Sequence, residues 1–415
     1  MTESVAVIGA GISGLTAAYL LTRRFDVTLF EAEPRLGGHA HTHDITDPAG
    51  RRLAIDTGFI VHNDRTYPLL RRLFTELGVR TRPSEMSMSI SDPASGLEFA
   101  GGRGVAGVFA QPRRLVDARF LRLLTEVRRF HRRAADYVAR TDDDDLATFG
   151  EFLQAERFSP AFVRLYAVPV VSCVWSCGGH SALAYPARYL FRFLDHHGLL
   201  SIGGSPQWRT VTGGSRQYVD AVADRLGNVR SGLPVRAAQR HPDGVAVTVA
   251  DGNTIDFDRV VVATHADQAL DLLADATPEE KAVLGPFEYS RNETVLHTDM
   301  SLLPATKSAR ASWNYVVRRG APLTTYWMNL LQGLETDEPY LVTLNGAATV
   351  DPAKVIARMD YEHPIYTPEA VAAQSRLATL NTGPIAFAGA YHGWGFHEDG
   401  CRAGVAAAES FGVRW

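Results

Sequence analysis

The chain has 415 residues, 46 % of them hydrophobic, and balances 42 basic against 46 acidic side chains for a net charge of −4. That composition supplies core material for two domains rather than one and excludes the strongly basic footprint of a nucleic-acid binder. Three cysteines, the absence of a basic leader in MTESVAVIGAG and the lack of an apolar run near the about 18 residues that span a bilayer exclude a disulfide scaffold and a membrane helix, and predict a cytoplasmic protein.

Residues 4–8 form a short apolar strand, and Gly9, Ala10, Gly11, Ile12, Ser13 and Gly14 complete a G-x-G-x-x-G turn that leads into a helix over 15–24. A second strand, 27–30, ends in Glu31. Dinucleotide binding needs this order: Gly9 makes the turn, Gly11 admits a pyrophosphate, Gly14 lets the helix pack close, and Glu31 accepts from a ribose hydroxyl. An acid at position 31 favours an unphosphorylated ribose, hence FAD or NAD rather than NADP. His39, His41 and His43 fall on one face if extended and are a weak metal candidate without a fourth ligand, so no metal is expected.

Further along, Met86 to Ser91 alternates as a strand. Over 111–140, Phe120, Leu124, Val127, Ala134 and Val138 follow a helical period, with Arg113, Arg114, Arg119, Arg122, Arg128, Arg129, Arg132 and Arg133 crowding the remaining positions. Such a basic amphipathic helix is either a solvated face over a core stripe or a surface for anionic lipid at the inner membrane face. The acidic run TDDDD at 141–145 reads as a solvated turn and helix start. Cys173, Cys177 and His180 lie in a mostly apolar segment and read as core thiols. A helix is expected over 218–226, a meander from Pro234 with a turn at Asp251 and Gly252, and strands over 324–329 and 340–344. Trp175, Trp313, Tyr315, Tyr326, Trp327 and Asn329 interrupt these patterns with large rings or a buried amide and are candidate cavity residues.

The stretch from Glu31 to His39 (EAEPRLGGH), Asp56-Thr57-Gly58, Gly213-Gly214-Ser215, the segment 258–267 and Ile385 to Gly389 resemble the flavin signature of the amine oxidase, phytoene desaturase and protoporphyrinogen oxidase superfamily. That resemblance implies an α/β fold with a Rossmann-like, glutathione reductase-type FAD-binding domain from 1–84, 206–289 and 381–415. A discontinuous α+β substrate domain would come from 85–205 and 290–380. It implies noncovalent FAD held by the glycine loop, Glu31, Ala32, Gly37, Gly38, His39, Thr57, Gly58, Phe59, Gly214, Val235, Ala263, Gly389, Phe396 and Asp399. The aromatic segment 391–400, with Tyr391 and Trp394, would border the flavin ahead of a closing helix. Ala390 stands where many relatives carry an acid, a role that passes to Glu398 or Asp399.

The combination GGHAHT, DTGFIVHN, ASWNY and GFHEDG resembles bacterial FAD-binding proteins encoded beside cyclopropane fatty acid synthases. It implies a fatty acyl or phospholipid substrate and a cyclopropane synthase-like methyltransferase as partner. Amine oxidases of the superfamily place a lysine in the strand corresponding to 292–297, which has none here. The expected function is FAD-dependent dehydrogenation of an unsaturated or methyl-branched acyl chain, with His397, His392 or Glu398 as base. Double-bond isomerisation, amine oxidation and a noncatalytic flavin-bound scaffold are the alternatives.

Overall fold

The computed structural model describes residues 2–142, 144–200, 205–318 and 323–415. Asp143 of the acidic run, and the segments 201–204 and 319–322 of the two insertions, lie outside the described residues.

A five-stranded parallel sheet carries the order Asn228–Arg230, Asp26–Phe30, Ser4–Ile8, Arg259–Val262, Ile385–Phe387. Parallel strands covered on both faces read as unbroken apolar runs, which explains Val5 to Ile8 and Val260 to Val262, all buried. The helix Ile12–Leu21 that follows the first strand is buried on nearly every side. Against it lies the C-terminal helix His397–Ser410. The close approach depends on two small residues: a Cβ at Gly404 would stand 2.4 Å from the Ser13 carbonyl oxygen, and one at Gly400 2.7 Å from Ile12 Cγ2.

A meander of Val235–His241, Gly244–Val249 and Thr254–Phe257 sits beside this sheet and turns at Asp251 and Gly252 as expected. A seven-stranded sheet follows the order Val355–Ile365, Glu288–His297, Leu341–Leu344, Leu323–Trp327, Trp313–Val316, Met88–Asp92, Leu97–Gly101, and two small sheets complete the strands, the hairpin Thr42–Thr46 with Arg52–Asp56 and the trio His62–Asn63, Trp208–Val211, Thr81–Pro83. The seven-stranded sheet is antiparallel except where Trp313–Val316 runs parallel to Met88–Asp92. Helices Ala118–Arg140, Phe149–Ala155, Val168–Trp175 and Ala187–His196 bury Phe130, Phe149, Phe152 and Phe191 in one aromatic core.

Three expectations change. The strand over 324–329 stops at Trp327, and Asn329 falls in the short helix Met328–Leu331. The acidic run precedes a helix instead of opening one: Phe149–Ala155 starts after Thr148, which shares a capping box with Glu151. The histidines of 39–43 do not share a face, because Ala40 donates to the Gly37 carbonyl in a turn that swings the His39 ring toward Tyr361 and His363, while His41 and His43 stay ring to ring. Cys173 is helical, but Ser176, at a φ of 53°, ends that helix before Cys177. Both thiols are buried, and burial pushes each up to about 12.

Candidate functional site

The cofactor side is assembled at the carboxyl ends of the parallel strands. Gly9 turns at a φ of 101°, and a Cβ there would meet the Ala263 carbonyl oxygen at 2.8 Å. At Gly14 it would stand 1.9 Å from the Gly9 oxygen, whereas at Gly11 it would meet nothing within 4 Å. Gly9 and Gly14 are therefore glycine for internal packing, and Gly11 for what approaches from outside. Gly11 is also the cap of the helix Ile12–Leu21 and offers no side-chain acceptor, so the leading amides are left for an anion.

Glu31 ties this loop to its neighbours. One carboxylate oxygen accepts the Ala10 amide at 2.8 Å and the other the Glu33 amide at 3.0 Å, each keeping a second lone pair. Ala32 beyond it is exposed. Gly37 donates to the Ala10 carbonyl at 2.9 Å. Gly38, at a φ of 56°, comes so near the loop that its Cβ would lie 3.2 Å from Gly11 Cα. Gly58 is required by the His39 carbonyl, 2.2 Å from a would-be Cβ, and the Phe59 amide donates to that same carbonyl at 2.7 Å. Gly214, at a φ of 86°, presses on Thr42. Val235 lies at the start of the meander and packs partly buried on the large core.

Behind the cradle is a buried carboxyl that sequence reasoning passed over. Asp56 accepts from Thr42 Oγ1 at 2.6 Å, from the Ser215 amide at 2.9 Å and hydroxyl at 2.7 Å, and from Gln332 Nε2 at 3.0 Å. Burial pushes it up to about 6. It joins the 42–56 hairpin, the Gly214 turn and the segment that carries Gln332. Thr57 beside it shares a 2.7 Å hydrogen bond with Tyr361, which with His363 lines the His39 ring. Tyr361 and His363 sit two apart on one strand, a pairing visible only once the strand is placed. The His39 Nε2 atom is sealed from solvent and has no hydrogen-bond partner among the described residues, and burial lowers that imidazole well below its ordinary value.

The segment 391–396 is pinned from three directions. Trp175 Nε1 donates to the Trp394 carbonyl at 3.0 Å, the Tyr189 hydroxyl to that of Gly393 at 2.7 Å, and Gln374 Nε2 to those of Tyr391 and Gly393, both at 2.7 Å. Around it stand Phe193, Tyr366 and Phe396, with ring centroids 4.6 Å apart for Trp175 and Phe193, 5.1 Å for Tyr189 and Tyr366, and 4.8 Å for Phe193 and Phe396. Tyr189, Phe193, Tyr366 and Gln374 escaped sequence reasoning, and of these only Tyr189 and Phe193 left a trace there, as rings one helical turn apart.

The remaining cavity candidates divide. Tyr391 turns inward against Phe287 at 5.3 Å, and its ring fills the space over Gly389. Trp313 and Tyr326 pair across strands at 5.4 Å, and Tyr315 and Trp327 occupy the same sheet. Cys173 Sγ touches Thr324 Oγ1 at 3.8 Å, so the helix that holds Trp175 against Trp394 also rests on that sheet. Asn329, expected in the cavity, spends its amide on local structure: it accepts from the Tyr340 amide and donates to the Glu338 carbonyl, both at 2.8 Å.

The three base candidates also separate. Glu398 accepts from the amides of Leu69 at 3.1 Å and Leu70 at 2.9 Å, capping the helix Pro68–Leu77, and burial pushes it up to about 7. His397 stacks on Phe59 at 3.7 Å, meets the Tyr218 hydroxyl at 3.1 Å and is held down to about 3 by burial. Both side chains, expected as bases, are engaged in packing contacts here. Asp399 accepts from the Phe396 amide at 3.1 Å, an N-terminal cap for the closing helix, and is pushed up to about 6 by burial. His392 is held to about 4 by burial, and its sealed Nε2, like Trp394 Nε1, has no hydrogen-bond partner among the described residues.

An open Gly11, uncapped helix amides, an acid at the ribose position and buried nitrogens at 39, 392 and 394 without a hydrogen-bond partner among the described residues together fit a flavin dinucleotide. Comparison with known proteins agrees. The profile of the flavin-containing amine oxidoreductases matches residues 12–284, well over half of the chain, and the chain belongs to that family. FAD is accordingly its cofactor. AofH of Mycobacterium tuberculosis, described as a flavin-containing monoamine oxidase, is 30 % identical over 259 residues, which cover 60 % of this chain and 54 % of that one. (S)-6-hydroxynicotine oxidase of Paenarthrobacter nicotinovorans is 25 % identical over 265 residues, 62 % of this chain and 59 % of that one. The chain thus spans less than two thirds of the length of either relative.

Among solved structures, cyclohexylamine oxidase from Brevibacterium oxydans IH-35A superposes with a TM-score of 0.73 at 19 % identity, covering 99 % of this chain and 98 % of that one. A fatty acid isomerase from P. acnes gives 0.69 at 15 % identity and 97 % of each chain. Identities this low show the fold: a Rossmann-like FAD-binding domain joined to a second domain built on the seven-stranded sheet.

Proposed function

We propose that this FAD-dependent oxidoreductase withdraws a hydride from an apolar substrate, an unsaturated or methyl-branched fatty acyl chain, and leaves a new double bond. The observation that carries this reading is the wall of Trp175, Tyr189, Phe193, Tyr366, Trp394 and Phe396. Its polar atoms are neutral, and the carboxylate nearest it, Asp399, is turned to the Phe396 amide and to Arg402. The chain has three lysines, Lys281, Lys307 and Lys354, all exposed. The strand Glu288–His297 presents neutral Asn292, Thr294 and His297 to the interior. An alkyl chain gains from such a surface, while an ammonium would lose its hydration without an ionic partner.

The flavin, when bound, supplies the acceptor for the hydride and its two electrons. The chain does the rest. Rings packed around 391–396 exclude water and orient the acyl chain. The N-terminus of the helix His397–Ser410 offers a positive dipole end where charge gathers on the cofactor.

Anaerobic mixing of holoprotein with unsaturated, methyl-branched and cyclopropane phospholipids tests this directly. Bleaching of the flavin band near ~450 nm with a product lighter by two hydrogens supports dehydrogenation. A displaced double bond without bleaching would replace it by isomerisation. Stable capture of a lipid methyltransferase with neither change would replace it by the scaffold reading.

A further inference from the structure

The solvent-facing part of the arginine-rich segment does not look like an ordinary solvated helix. Five large hydrophobic side chains are exposed among the described residues, and four of them fall within residues 105–121: Val105 at 75 %, Leu115 at 54 %, Val116 at 87 % and Leu121 at 39 %. They sit on the short helix Gly104–Val108, the 3-10 turn Pro112–Val116 and the first turn of Ala118–Arg140. Phe109 and Phe120, 5.9 Å apart, hold these pieces together. Scattered single apolar residues need no explanation, but a cluster on one edge does.

The charge around that edge is strongly positive. Residues 99–135 hold nine arginines and two carboxylates, and both carboxylates are engaged: Asp117 caps its helix and pairs with Arg114, while Glu126 is buried on Ser159. Arg129 and Arg133 are used internally, over the Phe158 ring and against Glu156. Arg119, Arg122, Arg128 and Arg132 are exposed and form no ion pair among the described residues. Arg122, Arg128 and Arg132 also line an open depression with Thr125. Guanidinium groups beside protruding aliphatic side chains match a surface whose phosphates lie directly above hydrocarbon.

We propose that the edge carrying Val105, Leu115, Val116 and Leu121 docks on an anionic lipid bilayer. The aliphatic side chains enter the acyl boundary, and Arg119, Arg122, Arg128 and Arg132 engage headgroup phosphates. The helix itself stays on the protein, because Phe120, Leu123, Phe130 and Ala134 are buried in the core. This surface is independent of what the active site oxidises.

Flotation of the holoprotein with vesicles tests it. Partition into phosphatidylcholine vesicles enriched in phosphatidylglycerol is expected, weaker in pure phosphatidylcholine and weakened by salt. The double variant Leu115→Asp, Val116→Asp should reduce partition at least about tenfold, since burying one such side chain is worth more than a tenfold step. Arg122→Gln and Arg128→Gln should each cost about fivefold. All four sites are solvent-exposed, so flavin absorbance and Tm should match the parent, which separates lost docking from lost folding. No partition into anionic vesicles at low salt, or equal partition by the Asp variant, would overturn the proposal. So would a concentration-dependent dimer that Val116→Asp splits, which would assign the patch to a second copy of the chain.

Discussion

The cradle around Gly9 to Gly14 and the wall around Tyr391 to Phe396 lie on the same molecule but are specified over different distances. In the cradle the decisive contacts stay within residues 9–37 and involve the backbone: Gly14 on the Gly9 carbonyl, the Gly37 amide on the Ala10 carbonyl, and the Ala10 amide on the Glu31 carboxylate. In the wall they cross the chain: Trp175 to Trp394 and Tyr189 to Gly393. A backbone-built site tolerates almost no change at its glycines yet accepts one cofactor shape. A site built from side chains can be re-lined while its frame stands, which is how one fold serves many substrates.

That contrast is easiest to break at Gly14. Gly14→Val puts carbon into the Gly9 carbonyl, and overpacking of about 1–3 kcal/mol together with the displaced turn should leave no FAD-bound protein. The flavin-to-protein absorbance ratio after purification reads the result, and full occupancy would refute the role given to the turn. In the wall, His392→Ala should keep FAD and slow anaerobic flavin reduction about 10²-fold. An unchanged rate would remove His392 from the candidate bases.

The pH dependence of stability follows from the same burial. His62, His197, His363 and His392 are held to about 4 and His397 to about 3. Unfolded imidazoles bind protons from about 6.5 downward, so the native state loses stability as pH falls from about 6.5 toward 4. Asp56 and Asp399, pushed up to about 6, and Glu398, pushed up to about 7, act in the opposite sense: the native state holds their protons longer, and its stability falls as pH rises from about 4 to 7. The histidines outnumber the acids, so Tm by circular dichroism is expected to drop on acidification, less steeply in His197→Phe. A Tm that rises steadily toward pH 4 would contradict the burial assigned to the imidazoles.

The smallest effects should come from Glu398 and His397, whose side chains are engaged in packing. Glu398→Gln keeps one acceptor for the Leu69 and Leu70 amides and should cost about 1 kcal/mol in denaturant unfolding while flavin reduction stays within about twofold. His397→Asn should behave alike. A loss of reduction comparable to that of His392→Ala would place either residue in the chemistry.

How far each half was legible in sequence follows from those distances. The glycine turn, the acid at the end of the second strand and the meander with its Asp251-Gly252 turn are local features, and the structure has them where local chemistry puts them. Glu398 looked like a free acid beside an aromatic stretch because the amides it caps lie 329 and 328 residues away. His397 looked titratable because nothing in the neighbouring sequence announces Phe59 stacked on it. Asn329 interrupted a strand pattern for a local reason, the turn it staples to Tyr340 and Glu338. The exposed edge at 105–121 was half visible: the arginines stood out, but a helical period sorts residues into faces without saying which aliphatic side chains the core leaves uncovered.

The decisive measurement is a matched anaerobic pair: holoprotein mixed with an unsaturated fatty acid and, separately, with the primary amine of the same chain, following the flavin band and the organic product. Bleaching by the acid with loss of two hydrogens from the chain, and none by the amine beyond what its own double bond explains, is the expected result. Bleaching by the amine with release of aldehyde and ammonia, and none by the acid, would contradict the apolar reading of the wall and make this chain an amine oxidase in substrate as well as in family.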